Sequence, residues 1–489
     1  MTARGFRWGW LFSVCLACAG CDDGGASDAG GLDGGATDAG QDASYVAPDA
    51  GPPGAALEPV SSCDDVAAEL YATPAGLPPF DPSVRGELLG CALLETIDRD
   101  ALAARLPDDA VVLSGARIYL VAFRTATAPD VGALSTALVM LPDVALTERV
   151  PLVVAMHGSV GLADACAPSH LRDDPPSWLR RTYLDAMLLA WSARGLPVIA
   201  PDYPGLGTEG THAYVSWGEV GRSGIDAARA LRSLLPAERL AGDTIVYGHS
   251  QGGGLALGVA TVAAEAPDIE LSAVVSMAPS YRLISLVDGL RLPMFELGGL
   301  VRGTVAMGVY AELAQVTSDP TELGAAFAEP VRDTILEDAE TLCYGELITA
   351  LDTASATYAP PTTLGELIDE TFRQSVLACA DDGVCAEPVA AFVARDDANE
   401  PHLDASAPPL LFVSSSDDEA VTPGVVGCVI DRVRRDGVTY ESCVQTGPDH
   451  LGVAETGTPH AIAWALAARG GDPRPPCPGA SAAPRCVPF

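Results

Sequence analysis

The chain has 489 residues, with 28 basic against 65 acidic side chains and a formal net charge of −37. Its basic residues, histidines aside, are all arginine, which excludes a Schiff base or a lysine general base. The acidity argues against nucleic acid or an anionic membrane surface as partner, because both require clustered cations.

Arg4 and Arg7 precede an apolar run, Trp8 to Ala19, that is too short for a permanent membrane span. Ala19-Gly20 then lead to Cys21. Residues 1–20 therefore read as a signal peptide resembling the bacterial lipoprotein type, with Cys21 as the lipidated N-terminus. Cys18 stands where leucine is usual, so ordinary signal-peptidase cleavage is the alternative. Removal of Arg4 and Arg7 takes the charge from −37 to −39. Residues 21–57 are mostly Asp, Gly, Ala and Pro, a composition that cannot bury enough apolar surface to offset chain entropy. They are expected to form a disordered acidic tether to the cell envelope.

Beyond the signal lie ten cysteines: Cys63, Cys91, Cys166, Cys343, Cys379, Cys385, Cys428, Cys443, Cys477 and Cys486. An even set behind an export signal reads as disulfides rather than metal ligands, since no C-x-x-C occurs among these ten. Cys379–Cys385, Cys428–Cys443 and Cys477–Cys486 are candidate local pairs; spacing leaves the connectivity open.

Residues 58 to about 105 are expected to be helical. Two strand-like runs follow, Ala116 to Thr127 and Leu134 to Leu141, separated by a turn. Val150 to Met156 is a continuous apolar run suited to a buried parallel strand. Leu196–Ala200, Thr244–Tyr247, Leu271–Met277 and Pro409–Val413 are further strands, alternating with helices over Trp178–Ala193, Ser223–Leu235 and Gly253–Ala264. That rhythm predicts an α/β fold with a mostly parallel central sheet and helices on both faces. It breaks from Ser280 to about Ala407, which reads as a large, mainly helical lid insertion. The expected organisation is thus 58–279 and 408–489 for the two parts of the core domain, with 280–407 between them.

Gly248-His249-Ser250-Gln251-Gly252 follows a strand and opens a helix, the context in which G-x-S-x-G means a nucleophile elbow. A serine needs a base, and the base needs an orienting carboxylate. Of seven histidines, His157, His170, His212, His249 and His402 precede the strand expected to carry the acid. His249 is expected to point away from the base. His460 sits within a helical pattern, which leaves His450, in the loop before the last helix. Asp417, Asp418 and Glu419 compete for the acid, and Asp418-Glu419-Ala420-Val421 fits the D-x-x-V pattern frequent in such folds. The amide of Gln251 and one from Gly158 or Ser159 are the candidate oxyanion donors.

Together, Met156-His157-Gly158, Gly161-Leu162-Ala163-Asp164-Ala165-Cys166-Ala167-Pro168-Ser169, Pro201-Asp202-Tyr203-Pro204-Gly205-Leu206-Gly207, the elbow and Asp449-His450 resemble the secretory lipase (lipase A-like) family of α/β-hydrolases. The resemblance spans roughly Ala116 to His460. It implies an α/β-hydrolase fold and hydrolysis of carboxylic esters, lipid-like ones included, without metal or cofactor. A serine peptidase of the same fold and a non-catalytic binding protein are the alternatives. The apolar residues of 283–297 are expected to line an acyl pocket under the lid.

Overall fold

The computed structural model describes residues 56–487, apart from 108–109, 173–175, 215, 281–285, 354–359 and 400–401. Among these, nine strands build one sheet: β1 Leu88–Ile97, β2 Gly115–Ala128, β3 Val131–Asp143, β4 Val150–Met156, β5 Val198–Pro201, β6 Leu240–His249, β7 Glu270–Met277, β8 Leu410–Ser415 and β9 Tyr440–Gln445. Their spatial order is β1-β2-β3-β5-β4-β6-β7-β8-β9. The first three strands and the β3–β5 pair run antiparallel, and every pair from β5 to β9 is parallel.

The central parallel strands are buried on both faces, which is why they read as unbroken apolar runs. Helices Trp217–Leu234 and Gln251–Val262 pack beside each other, and the long helix His450–Gly470 packs against β7 and β8. The resulting core is continuous, with Trp191, Trp217, Trp464 and Phe412 among its largest fully buried side chains.

The expected helical stretch from 58 to about 105 is not helical. It holds two single 3-10 turns, strand β1 and one short helix, Arg99–Ala103. The open edge of the long strand β2 takes up Leu88–Ile97, and Cys63–Cys91 pins the preceding segment to it. Pairing with a free sheet edge outweighs local propensity here. The signal peptide, Cys21 and the tether as far as residue 55 lie outside the described residues. Leu57, at the expected end of the tether, is fully buried, and Arg117 donates to its carbonyl at 2.8 Å.

Between β7 and β8 the described chain holds helices and no sheet strand. The longer helices are Gly299–Ala314, Glu329–Asp338, Tyr344–Thr353, Glu370–Asp382 and Val389–Ala398. They share an apolar interior that includes Phe327, Val376 and the edge-on pair Phe372 and Phe392. The buried Glu312 carboxylate within it accepts from Arg395 at 3.1 Å.

Five disulfides close: Cys63–Cys91, Cys166–Cys343, Cys379–Cys385, Cys428–Cys486 and Cys443–Cys477. Of the three candidate local pairs, Cys379–Cys385 forms and the other two exchange partners. The C-terminal tail doubles back along β9, where Val444 and Ala480 exchange backbone hydrogen bonds of 2.7 and 2.9 Å. That path carries Cys477 to Cys443 and Cys486 to Cys428. Such density of disulfides fits an oxidising compartment. No described helix is long and apolar enough to cross a membrane.

Candidate active site

Ser250 stands between β6 and the helix Gln251–Val262, with φ 58° and ψ −122°. The turn that holds this conformation is crowded. A Cβ on Gly252 would lie 1.9 Å from the carbonyl oxygen of Met156, so only glycine fits there. Ser250 N–H donates to Met277 O at 2.9 Å, and its carbonyl accepts from Ser280 at 3.0 Å. The hydroxyl is thereby presented at the carboxyl edge of the parallel strands.

His450 begins the last long helix, whose N-terminus is capped by Asp449, the carboxylate accepting from Gly452 N–H at 2.8 Å. Its Nδ1 lies 2.8 Å from Asp418 Oδ2 and its Nε2 lies 2.9 Å from Ser250 Oγ. A carboxylate only accepts, so Nδ1 carries the proton and Nε2 faces the serine. Asp418 is buried in the turn after β8, where its other oxygen accepts from the amides of Ala420 (2.9 Å) and Val421 (2.7 Å).

Asp417, the competing carboxylate, is exposed and turned elsewhere. It accepts from Gly447 N–H at 2.7 Å, and Ser415 Oγ donates to Pro448 O at 2.7 Å. These two bonds hold the loop that delivers His450. Glu419 lines a groove on the outer side of the same turn. His460 is half-buried within the last helix, away from the serine.

His249 does not point away from His450. Its Nε2–H donates to the His450 carbonyl at 2.9 Å, and the ring centroids are 4.8 Å apart. β6 ends at His249, within hydrogen-bonding reach of the first residue of the last helix, whose body packs on β7 and β8.

The loop after β4 reaches the serine from the other side. A Cβ on Gly158 would come within 3.2 Å of Ser250 Cβ, so the 157–159 backbone abuts the nucleophile position. Ser159 Oγ is hydrogen-bonded to Tyr214 Oη, and the Gln251 side-chain amide donates to His212 Nε2 at 2.9 Å. Burial lowers His157 to about 4 and His212 to about 3, so both rings stay neutral. Asp202, from the Pro-Asp-Tyr-Pro-Gly segment, accepts from Thr136 Oγ1 at 2.7 Å and from Ser169 N–H at 3.0 Å. The Cys-Ala-Pro-Ser and Pro-Asp-Tyr-Pro segments thus meet as a clamp behind the loop, not at the serine.

Ser250, His450 and Ser159 open into a cavity of about 200 Å³ walled by Trp178, Leu300, Val301, Val305 and Ile348. The wall is not the expected one. Leu283 and Ile284 lie outside the described residues, Met294 is exposed, and Phe295 lines the neighbouring groove. Leu297 N–H donates to Thr362 O at 2.7 Å and Leu364 N–H to Phe295 O at 2.9 Å, so the stretch 295–297 pairs with 362–364 and is not helical. The helix opening at Gly299 instead turns Leu300, Val301, Thr304 and Val305 onto the cavity. Tyr183 and Tyr344 also line it and were not singled out from the sequence, since no local motif marks them.

No protein-family model matches the chain, and none of the curated proteins does. Among solved structures it is similar to the rice cell wall degrading esterase LipA from Xanthomonas oryzae, with a TM-score of 0.58 and 18% identity over 79% of this chain and 97% of that one. It is also similar to Candida antarctica lipase A in its closed state (TM-score 0.58, 16% identity, 86% and 89% covered). A putative hydrolase from Legionella pneumophila gives a TM-score of 0.57 at 19% identity, covering 78% and 96%. At such identities the likeness shows the fold: this is an α/β-hydrolase fold with a mostly parallel sheet.

Proposed function

We propose that the chain is a serine hydrolase of carboxylic esters, working through an acyl-enzyme on Ser250. The observation that carries this reading is the position of His450, 2.9 Å from Ser250 Oγ and 2.8 Å from Asp418 Oδ2, beneath an apolar cavity. As Ser250 Oγ bonds to the ester carbon, its proton passes to His450 Nε2 and the carbonyl electron pair moves onto oxygen. Asp418, held by two amides, orients the ring and stabilises the imidazolium. The amides of Gln251 and Ser159 hold the oxyanion. Collapse expels the alkoxide, which takes the proton from His450, and water repeats the sequence to release the acid.

The esterase and the lipase among the similar structures support an ester rather than an amide as substrate. Residues 280–407 serve as the lid, and their apolar helix faces hold the acyl group. Cys21 anchors the enzyme to the cell envelope, with the acidic segment as spacer.

Ser250→Ala tests the chemistry. It is expected to remove nearly all turnover of p-nitrophenyl esters and all labelling by a fluorophosphonate probe. Activity above about a hundredth of the wild type would assign the nucleophile elsewhere. Faster cleavage of p-nitroanilides than of esters would make it a peptidase. Cys21→Ala is expected to release the protein from the membrane fraction, and unchanged fractionation would remove the anchor.

A further inference from the structure

The tyrosines around the site spend their hydroxyls in different ways. Tyr203 donates to His157 O at 2.8 Å, Tyr344 donates to Leu300 O at 2.6 Å, and Tyr247 is paired with Thr458 at 2.6 Å. Tyr214 is bonded to Ser159. Tyr183 is the exception. It is 3% exposed and lines the catalytic cavity, yet among the described residues no acceptor takes its hydroxyl proton. Its oxygen is not among the sealed polar atoms that lack a partner, so the hydroxyl opens onto the cavity, where an oxygen of a bound substrate can accept from it.

A Cβ on Gly158 would sit 1.8 Å from Tyr183 Oη and 3.2 Å from Ser250 Cβ, which bounds the separation of that hydroxyl from Ser250 Cβ at about 5 Å. Glycine at 158 is therefore what lets the phenol approach the serine. The Gly158 backbone amide interacts with the phenol oxygen, which leaves the hydroxyl hydrogen to point elsewhere. Burial pushes the phenol far above its ordinary range, so the proton remains on oxygen. The residue is carried on a π-helical segment, Arg180–Leu189, a geometry found often at functional sites. Arg181 and Thr182 bond to Glu455 at 2.6 and 3.0 Å, tying that segment to the helix that begins at His450.

We propose that the Tyr183 hydroxyl is a catalytic residue, donating a hydrogen bond to the oxyanion formed at Ser250 alongside the amides of Ser159 and Gln251. This rests on the ester-hydrolase reading above. It forms no covalent bond to substrate and transfers no proton; it offers a neutral hydrogen-bond donor where negative charge develops. The bond strengthens as negative charge develops on the substrate oxygen, so it stabilises the tetrahedral state more than the ground state and accelerates the step.

Tyr183→Phe keeps the ring and removes the donor. It is expected to lower kcat about 100-fold, as loss of one oxyanion donor does elsewhere. KM, thermal midpoint and the order of preference among acyl lengths are expected to stay as in the wild type. Affinity for a trifluoromethyl ketone, which forms a tetrahedral oxyanion on the serine, is expected to fall by the same factor. A kcat within twofold of wild type would overturn the inference, provided the wild type hydrolyses esters and is labelled at Ser250. A changed acyl profile with unchanged ketone affinity would also overturn it, making Tyr183 a pocket wall. A wild type that neither turns over esters nor takes the label would fail the underlying reading, and this inference with it.

Discussion

His249 Nε2 lies 2.9 Å from the backbone carbonyl oxygen of His450, so a residue next to the elbow serine grips the main chain of the proposed base. A carbonyl only accepts, so the imidazole is the donor. Burial, reinforced by the adjacent His450, holds His249 well below its ordinary range and keeps it neutral. The bond joins the end of β6 to the first residue of the last helix. It therefore sets the distance across which Ser250 and His450 meet.

His249→Ala is expected to lower kcat about tenfold with little change in KM, since one hydrogen bond of ~1–1.5 kcal/mol orients the base. His249→Gln retains a side-chain donor and is expected to recover part of that loss. Steady-state kinetics of both variants, with equal thermal midpoints, would establish positioning. An unaltered kcat in the alanine variant would show that the bond orients nothing.

Ser250 occupies φ 58° and ψ −122°, a region costly for any residue but glycine. Ser250→Gly relieves that strain, partly offset by the greater chain entropy of glycine in the unfolded state. The variant is expected to be inactive yet about 1 kcal/mol more stable than Ser250→Ala. Denaturant unfolding of the two variants measures the difference, and equal midpoints would mean the elbow stores no strain.

Cys166–Cys343 joins the loop behind the oxyanion side to the 280–407 insertion across 177 residues of sequence. Beside it, Tyr344 N–H donates to Val160 O at 2.8 Å, and Tyr344 and Gly345 line the cavity. Replacing both cysteines by alanine is expected to cost about 2–5 kcal/mol of stability and to lower kcat/KM. The equivalent change at Cys379 and Cys385, which are six residues apart and do not line the cavity, is expected to leave kcat/KM unaltered. Equal losses for the two pairs would refute a link between this bridge and the site.

Val305 and Ile348 face the cavity from two different helices. Each further methylene buried there contributes about 0.8 kcal/mol, close to a fourfold gain in kcat/KM until the space is filled. Short- to medium-chain acyl esters are expected to outrun acetyl esters. Val305→Trp or Ile348→Trp is expected to move the optimum toward shorter chains. A flat profile in all three proteins would remove the insertion from substrate selection.

His157 and His212 are buried and neutral, lowered by burial to about 4 and about 3, while unfolded histidine titrates near 6.5. Between about pH 6.5 and 4 the unfolded state therefore binds more protons, and stability falls as the solution is acidified. Across that shared interval of about 2.5 pH units each ring contributes a loss of about 3 kcal/mol. Unfolding free energy measured from pH 7 to 4 is expected to decline, and His212→Gln to flatten the slope. A slope unchanged in that variant would show that the His212 ring is not the source.

What is local in the chain could be read from residues alone. Gly248 to Gly252 between a β-branched run and an Ala/Gly helix specifies its own turn, because steric fit there involves neighbours a few positions apart. The apolar runs of β4 and β7 likewise announce strands buried on both faces. His450 was reachable by elimination, since the chain holds few histidines. Tertiary structure decided the rest. Asp418 and Asp417 are adjacent, and only the packing of the β8 turn against the 447–449 loop sends one to His450 and the other to Gly447. The doubled-back tail chose the partners of Cys428 and Cys443, and a free sheet edge turned Leu88–Ile97 into a strand. Tyr183, Gly158 and Ser250 come from three separate elements, and no spacing along the chain encodes their meeting. Such contacts depend on how whole elements pack, because a side chain's chemistry is set by whichever distant groups surround it.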